Sequence, residues 1–308
     1  MNRESSQAEA YALAVDRLLE QGTPPAIMSA EKPLLDLAYQ LRQTAPHTMI
    51  DPRFRATLRQ RLVQSKGLAE PAERRYTVLD TAIGRLHIAY RGRVICGVSV
   101  TTDDVTFEQR CVARHGMHLR RDAEPPAWLV TLVGNHLEGR RAFKGAVDLV
   151  GLTPFQRRVL EKIREIPRGE VRPYTWVARE IGFPRAVRAV GTALGKNPIP
   201  LLIPCHRVIR SEGSLGGYSA GGTALKERIL TLEGVDLPEL TLLRRLGKRF
   251  RGSRNTRIFC LPTCYSRKWG KAQHTVYFTS VHEARQAGYR PCKLCRPAST
   301  VTNQGGHA

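Results

Sequence analysis

Residues 174–209 read Tyr174-Thr-Trp-Val-Ala-Arg-Glu-Ile-Gly182-Phe-Pro-Arg-Ala-Val-Arg188-Ala-Val-Gly-Thr-Ala-Leu-Gly195-Lys-Asn197-Pro-Ile-Pro-Leu-Leu-Ile-Pro204-Cys205-His206-Arg207-Val-Ile209. The pattern predicts a short helix from about Thr175 to Ile181, ended by Gly182. A second runs from about Pro184 to Leu194, ended by Gly195. Two helices on so short a turn suggest a helix-turn-helix, the common nucleic-acid docking unit, although any tight helical hairpin has the same pattern. The second helix carries small residues at Ala186, Ala189, Gly191 and Ala193, punctuated by Arg185 and Arg188. A major-groove reader displays long polar side chains. Small ones instead allow close backbone approach in a minor groove, with an arginine free to enter the gap left by a displaced base.

Downstream, Cys205 is pinned by Pro204 and followed by His206 and Arg207. Neighbouring positive charge lowers a thiol's pKa, and the thiolate is the reacting form, so a reactive cysteine is expected here. Adjacent side chains need not face each other, so His206 is expected to act as base through a water. Glu233, after the helical run 224–232, is placed to hold that histidine. The glycine-rich segment 213–222, with Tyr218 inside it, suits a pocket-lining loop or a surface hairpin.

Upstream, Thr153 and Pro154 open a helix with Val159, Leu160 and Ile163 on one face. Three short strands at 76–79, 86–90 and 94–98 form an antiparallel meander, with Cys96 as a packed core thiol. Helices follow near 105–115 and 125–138. Residues 1–70 read as a helical extension without evident chemistry.

The 308 residues carry 49 Lys+Arg against 27 Asp+Glu, a net +22, which points to a polyanionic partner such as nucleic acid. Solubility alone, a ribosome-associated role or a membrane surface are the blander readings. The surplus is uneven: residues 241–297 hold fourteen basic side chains and one acidic, Glu283. No apolar run is long enough to span a membrane, and the N-terminus lacks a signal-peptide pattern. Seven cysteines do not suit a closed disulfide framework. Cys260-x3-Cys264 and Cys292-x2-Cys295 read instead as a tetrahedral Zn²⁺ site, one ion per chain, with an iron–sulfur site as the minor alternative. A reducing, cytoplasmic location is therefore expected.

From about 76 to 234 the chain resembles the methylated-DNA–protein-cysteine methyltransferase family. The resemblance rests on Thr153-Pro-Phe-Gln156, Ile166-Pro-Arg-Gly-Glu170, Tyr174, Gly182 to Val190, Asn197-Pro and Pro204-Cys-His-Arg-Val208, in that order. It implies a multidomain α/β plus α chain: a ribonuclease-H-like α/β domain at 76–150 and a helix-turn-helix (winged-helix-like) alkyltransferase domain at 151–234. It further implies that an O6-alkylated guanine is flipped from double-stranded DNA and its alkyl group moved irreversibly to Cys205, without a cofactor and once per molecule, in a monomer. Carried over by motif, Arg188 resembles the arginine that replaces the flipped base. Tyr174 contacts the target nucleotide, Asn197 orients the active-site turn, and His206 and Glu233 complete a proton relay. Tyr218 lies in the substrate loop, and Arg185 and Arg207 join the DNA-facing set. Ser219-Ala220 makes that loop one residue longer than the family's usual pattern.

After a linker at 235–250, residues 251–298 resemble the zinc domain of Ada, the adaptive-response protein. The matching stretches are Asn255 to Cys260, Cys264, Val276 to Phe278, and Ala287 to Pro297. The resemblance implies a small Cys₄ α+β module whose first ligand, Cys260, also accepts methyl from a phosphotriester. Here the module stands at the opposite end of the chain from its usual place. No segment between 235 and 257 is long enough for the paired helix-turn-helix activator that normally accompanies it. A methylation-sensing regulator is thus the alternative to a repair enzyme.

Overall fold

The computed structural model describes residues 73–100, 103–115, 119–264 and 272–297; the expected extension at 1–70 lies outside them. Alternating side chains produce β1 (Arg75–Thr81), β2 (Gly84–Arg91) and β3 (Val94–Ser99), paired antiparallel with Tyr76 opposite Ala89 and Ile88 opposite Val98. The turn before β3 uses Gly92 at φ 55°, a conformation costly for any residue with a Cβ. Then come α1 (Asp104–His115), β4 (Arg120–Arg121), α2 (Ala127–Leu137) and β5 (Ala146–Val147). β4 adds parallel to β1 and β5 parallel to β3, giving a five-stranded sheet of order β4-β1-β2-β3-β5.

The alternation decides which core each side chain joins. Leu86, Ile88 and Ile95 share a core with Leu129 and Val133 of α2. Tyr76, Ala89 and Cys96 pack with Phe107 and Cys111 of α1, so Cys96 is the core thiol its strand position predicts.

Helix α3 (Pro154–Ile163) starts on a complete capping box: Gln156 N donates to Thr153 Oγ1, and Thr153 N donates to Gln156 Oε1. Its buried Val159, Leu160 and Ile163 each contribute on the order of 2 kcal/mol of apolar burial. Next are β6 (Arg172–Pro173), α4 (Tyr174–Glu180), α5 (Val187–Gly195), a single 3₁₀ turn at Cys205–Arg207, β7 (Val208–Ile209) and α6 (Gly222–Leu232). Helices α4 and α5 are the expected helix pair. β6 and β7 form a two-stranded parallel ribbon that ties the start of α4 to the segment after Cys205.

The segment 235–250, read as a linker, contains α7 (Leu237–Arg245). Asp236 caps it by accepting from Glu239 N, and Leu240 joins Val171, Ile209, Leu230 and Val235 in a buried cluster. The chain then forms β8 (Phe250–Ser253), β9 (Ile258–Cys260), β10 (Thr275–Phe278), α8 (Val281–Gln286) and β11 (Arg290–Pro291), with sheet order β10-β8-β9-β11. Gly252 is required here, since a Cβ would stand 2.7 Å from the Phe278 ring. Among the described residues no helix is long and apolar enough to cross a membrane.

Candidate active site and metal centre

The loop between α5 and β7 presents Cys205. Asn197 organises it: Oδ1 accepts from Ile199 N at 3.0 Å, while Nδ2 lies 2.9 Å from Ile203 O and 3.1 Å from Cys205 Sγ. Leu201, inside the loop, takes φ 73°, an uncommon conformation for a branched residue. It is buried, and its carbonyl meets the buried His136 ring at 3.3 Å. Val98 N donates to Pro198 O at 2.9 Å, fastening the loop to the end of β3.

Behind the thiol, His206 Nε2 lies 3.1 Å from Glu233 Oε1 and both side chains are buried. Glu233 caps the C-terminus of α6. Arg207 grips the same carboxylate with two hydrogen bonds, Nε to Oε2 at 2.8 Å and Nη2 to Oε1 at 2.7 Å, and donates Nη1 to Ile166 O. This corrects the sequence reading of Arg207 as a DNA contact: the guanidinium is buried and committed to Glu233.

The electrostatics also overturn the expected lowering of the thiol's pKa. Burial pushes the Cys205 pKa up, and the opposing hydrogen bond from Asn197 and charge of Lys226 do not reverse it. Resting Cys205 is therefore a thiol and needs a base. Burial also disfavours charge on His206 more than Glu233 restores it, so its pKa is lowered and the ring is neutral near pH 7. Burial opposes ionisation of Glu233 as well, but hydrogen bonds from His206 and Arg207 outweigh it and hold the carboxyl well below the usual range. Nδ1 of His206 makes no protein hydrogen bond and is the nitrogen available to take a proton.

A histidine whose pKa is depressed stays neutral until the pH falls below its ordinary 6.5. The single-turnover rate of Cys205 modification is expected to stay level from pH 7 to 6.5 and to drop only below that. A half-maximal rate at or above pH 6.5, measured by quench-flow, would remove His206 from the base role.

Lys226 escaped the sequence reading. It is buried, donates to Val208 O and Leu215 O at 2.6 Å each, and its pKa is drawn down to about 8, chiefly by burial. It ties α6 to the glycine-rich loop and contributes positive charge near Cys205. The available signal was a lysine beside Leu225 and in line with Ile229 and Leu230 on the apolar face of the helix. Tyr218 is buried too, its ring edge-on to His206 at 6.4 Å, and burial pushes its pKa up. Tyr174, at the start of α4, packs its ring by Gly191 and its hydroxyl by Gly216. The small residues of α5 thus serve two ends. Ala193 is core and Gly191 makes room for Tyr174, while Ala189, Arg185 and Arg188 are exposed.

In the second centre the four sulfurs of Cys260, Cys264, Cys292 and Cys295 lie within 4.8 Å of one another, all buried. A tetrahedral Zn–S₄ site has sulfurs about 3.8 Å apart, given Zn–S bonds of about 2.3 Å. The donor set therefore fits a thiolate-bound metal with small adjustments. His274 and His282 stand outside this cluster.

Together these features define a thiol acceptor set behind a helix-turn-helix, joined to a Cys₄ metal-binding fold. Residues 154–235 match the family model for the DNA-binding domain of 6-O-methylguanine DNA methyltransferase, and 244–298 match the metal binding domain of Ada. The methylated-DNA–protein-cysteine methyltransferase of Mycolicibacterium paratuberculosis is 39% identical over 169 residues, spanning 54% of this chain and 97% of the relative. That of Rattus norvegicus is 34% identical over 181 residues, 54% of this chain and 86% of the relative. A third, from Methanothermobacter thermautotrophicus, is 50% identical over 91 residues, and the chain spans only 50% of its length. The crystal structure of Mycobacterium tuberculosis OGT in complex with DNA is 34% identical, with a TM-score of 0.45 over 54% of this chain and 99% of that one. The chain belongs to the methylated-DNA–protein-cysteine methyltransferase family, DNA-repair enzymes that move a methyl group from O6-alkylguanine to a cysteine of their own.

Proposed function

We propose that this chain repairs O6-alkylguanine in double-stranded DNA by transferring the alkyl group irreversibly to Cys205. The observation that carries this reading is the Cys205 thiol, held by Asn197 and backed by a neutral His206 on an ionised Glu233. His206 takes the Cys205 proton through a water, and Glu233 stabilises the resulting imidazolium. Sγ attacks the alkyl carbon, the S–C bond forms as the C–O6 bond breaks, and the electron pair leaves with guanine. Tyr174 and Tyr218 contact the flipped nucleotide. Exposed Arg188 on α5 fills the gap in the duplex, with Arg185 on the adjoining backbone. Because the thioether is not cleaved again, each molecule acts once, as a monomer, with no cofactor for the transfer itself.

The four cysteines hold one Zn²⁺, which when bound keeps their sulfurs as thiolates. By the match to the metal binding domain of Ada, Cys260 is also read as an acceptor of methyl from a DNA phosphotriester. Cys260 is 1% exposed, so that second transfer requires the chain covering it to move. No described element favours the regulator alternative, since 237–245 is one short helix rather than a paired helix-turn-helix. None of the seven cysteines is in a disulfide, which supports a reducing, cytoplasmic setting.

The test is peptide mass spectrometry after incubation with duplexes carrying O6-methylguanine or a methylphosphotriester. The first is expected to leave methyl on Cys205, the second on Cys260. Methyl found elsewhere from the first duplex would overturn the main reading, and none on Cys260 from the second would overturn the added one.

A further inference from the structure

The two metal-ligand loops lie directly against the first helix of the DNA-reading pair. Trp176 of α4 is buried, and its Nε1–H donates to Cys295 O at 2.9 Å. Arg296, the next residue, lies over the Trp176 ring and pairs with the buried carboxylate of Glu180 at 2.9 Å. On the other ligand loop, Thr263 stands between Cys260 and Cys264. Its Oγ1 accepts from Val171 N at 2.9 Å and lies 3.3 Å from Val171 O, taking both backbone groups that precede β6. Val171 leads into Arg172-Pro173, which pairs with Val208-Ile209 immediately after Cys205-Arg207. The metal ligands and the DNA-reading helices share one continuous apolar core.

On their strand side the ligand loops are joined by backbone pairing: Cys260 ends β9, β11 pairs with β9, and Cys292 N donates to Phe259 O at 2.9 Å. Beyond the strands the loops carry single turns, Cys264 N to Leu261 O and Arg296 N to Cys292 O, and Leu261 N lies 3.4 Å from Cys295 Sγ. An ion bound by all four sulfurs fixes both loops at once and so presents Thr263 Oγ1 and Cys295 O together.

We propose that the metal centre is a clamp on the catalytic part of the chain. Metal occupancy orders residues 171–180 through Thr263, Cys295 and Arg296. The clamp rests on the metal reading but not on the chemistry at Cys205. Coupling of this kind is reciprocal: whatever the metal adds to the order of α4, α4 adds to metal affinity.

The test is amide hydrogen exchange of the full-length zinc-loaded protein, compared with protein stripped by chelator under reducing conditions. Peptides covering 171–180 are expected to exchange at least about tenfold faster without zinc, while β1–β3 are unchanged. Unchanged exchange at 171–180, or equal acceleration in β1–β3, would overturn the clamp. The second arm is Trp176→Phe, which keeps a ring but removes the donor to Cys295 O. Losing one such bond corresponds to about fivefold weaker zinc binding, read by competition with a colorimetric chelator. If Trp176→Phe does not fold, Arg296→Ala replaces it with the same expectation. Wild-type zinc affinity in the folded variant would sink the proposal. Failure of alkyl transfer at Cys205 would leave the exchange result standing and count only against the repair reading.

Discussion

A Cys205→Ala variant is expected to fold, to bind duplex DNA carrying O6-methylguanine, and to transfer nothing. The loss should be complete rather than partial, because no other thiol can take over. Cys96 of β3 and Cys111 of α1 are buried in one core, and the remaining four cysteines are gathered at the metal centre. The structural cost is small. Alanine removes one sulfur from a site that is already 6% exposed, and Asn197 keeps its bonds to Ile199 N and Ile203 O. Stability should fall by only about 1–2 kcal/mol, the scale of a minor truncation in a packed core. Undiminished binding combined with absent transfer separates the nucleophile from the docking surface. The check is transfer of labelled methyl from duplex to protein, alongside a binding titration at fixed salt. Any transfer by the folded variant would remove Cys205 from the acceptor role.

Arg207→Ala is expected to cost about 3–5 kcal/mol of stability and to slow alkylation sharply, although Arg207 touches neither DNA nor thiol in this arrangement. The reason is Glu233. Its carboxylate is buried, and the hydrogen bond with His206 and the two from Arg207 compensate that burial. Without Arg207 it keeps His206, and Arg168 stands 3.9 Å away. An under-compensated buried charge is what makes breaking such a pair expensive. The pH dependence gives the sign. In the wild type the Glu233 pKa is lowered in the fold, so its stabilisation is fully present above the unfolded carboxylate pKa and is lost progressively as pH falls from there through the lower folded value. In the variant the carboxyl protonates more readily, so the gap to wild type is widest near neutrality and narrows in acid. Urea unfolding at pH 7 and pH 4 measures both limbs. Arg207→Lys restores charge but not the two-pronged grip, and should recover only part of the loss. A variant as stable as wild type at pH 7 would show that Glu233 does not depend on this arginine.

Much of the fold was legible in the sequence, for local reasons. Strand alternation placed the meander, Thr153 and Gln156 marked the start of α3, and glycines ended both helices of the pair. The helix at 237–245 was missed because a short run rich in Leu and Arg resembles a charged linker until Leu240 and Leu243 find their neighbours. The acceptor set was half legible. Cys205, His206, Asn197 and Glu233 were nameable from motif and chemistry, but Lys226 and the true partner of Arg207 were not, since each depends on what a distant helix brings.

The sequence by itself determined what is written over a few residues: the period of the strands, the helix caps, the four cysteines spaced for one metal, and the thiol beside its histidine. Only the tertiary structure decided how those groups are charged and what they lean on. Burial turned the expected thiolate into a thiol, and Arg207 was drawn to Glu233, 26 residues away, rather than to DNA. Trp176 was joined to a metal-ligand loop 119 residues further on. Desolvation and long-range contact are properties of the packed chain, and no local pattern of residues encodes them.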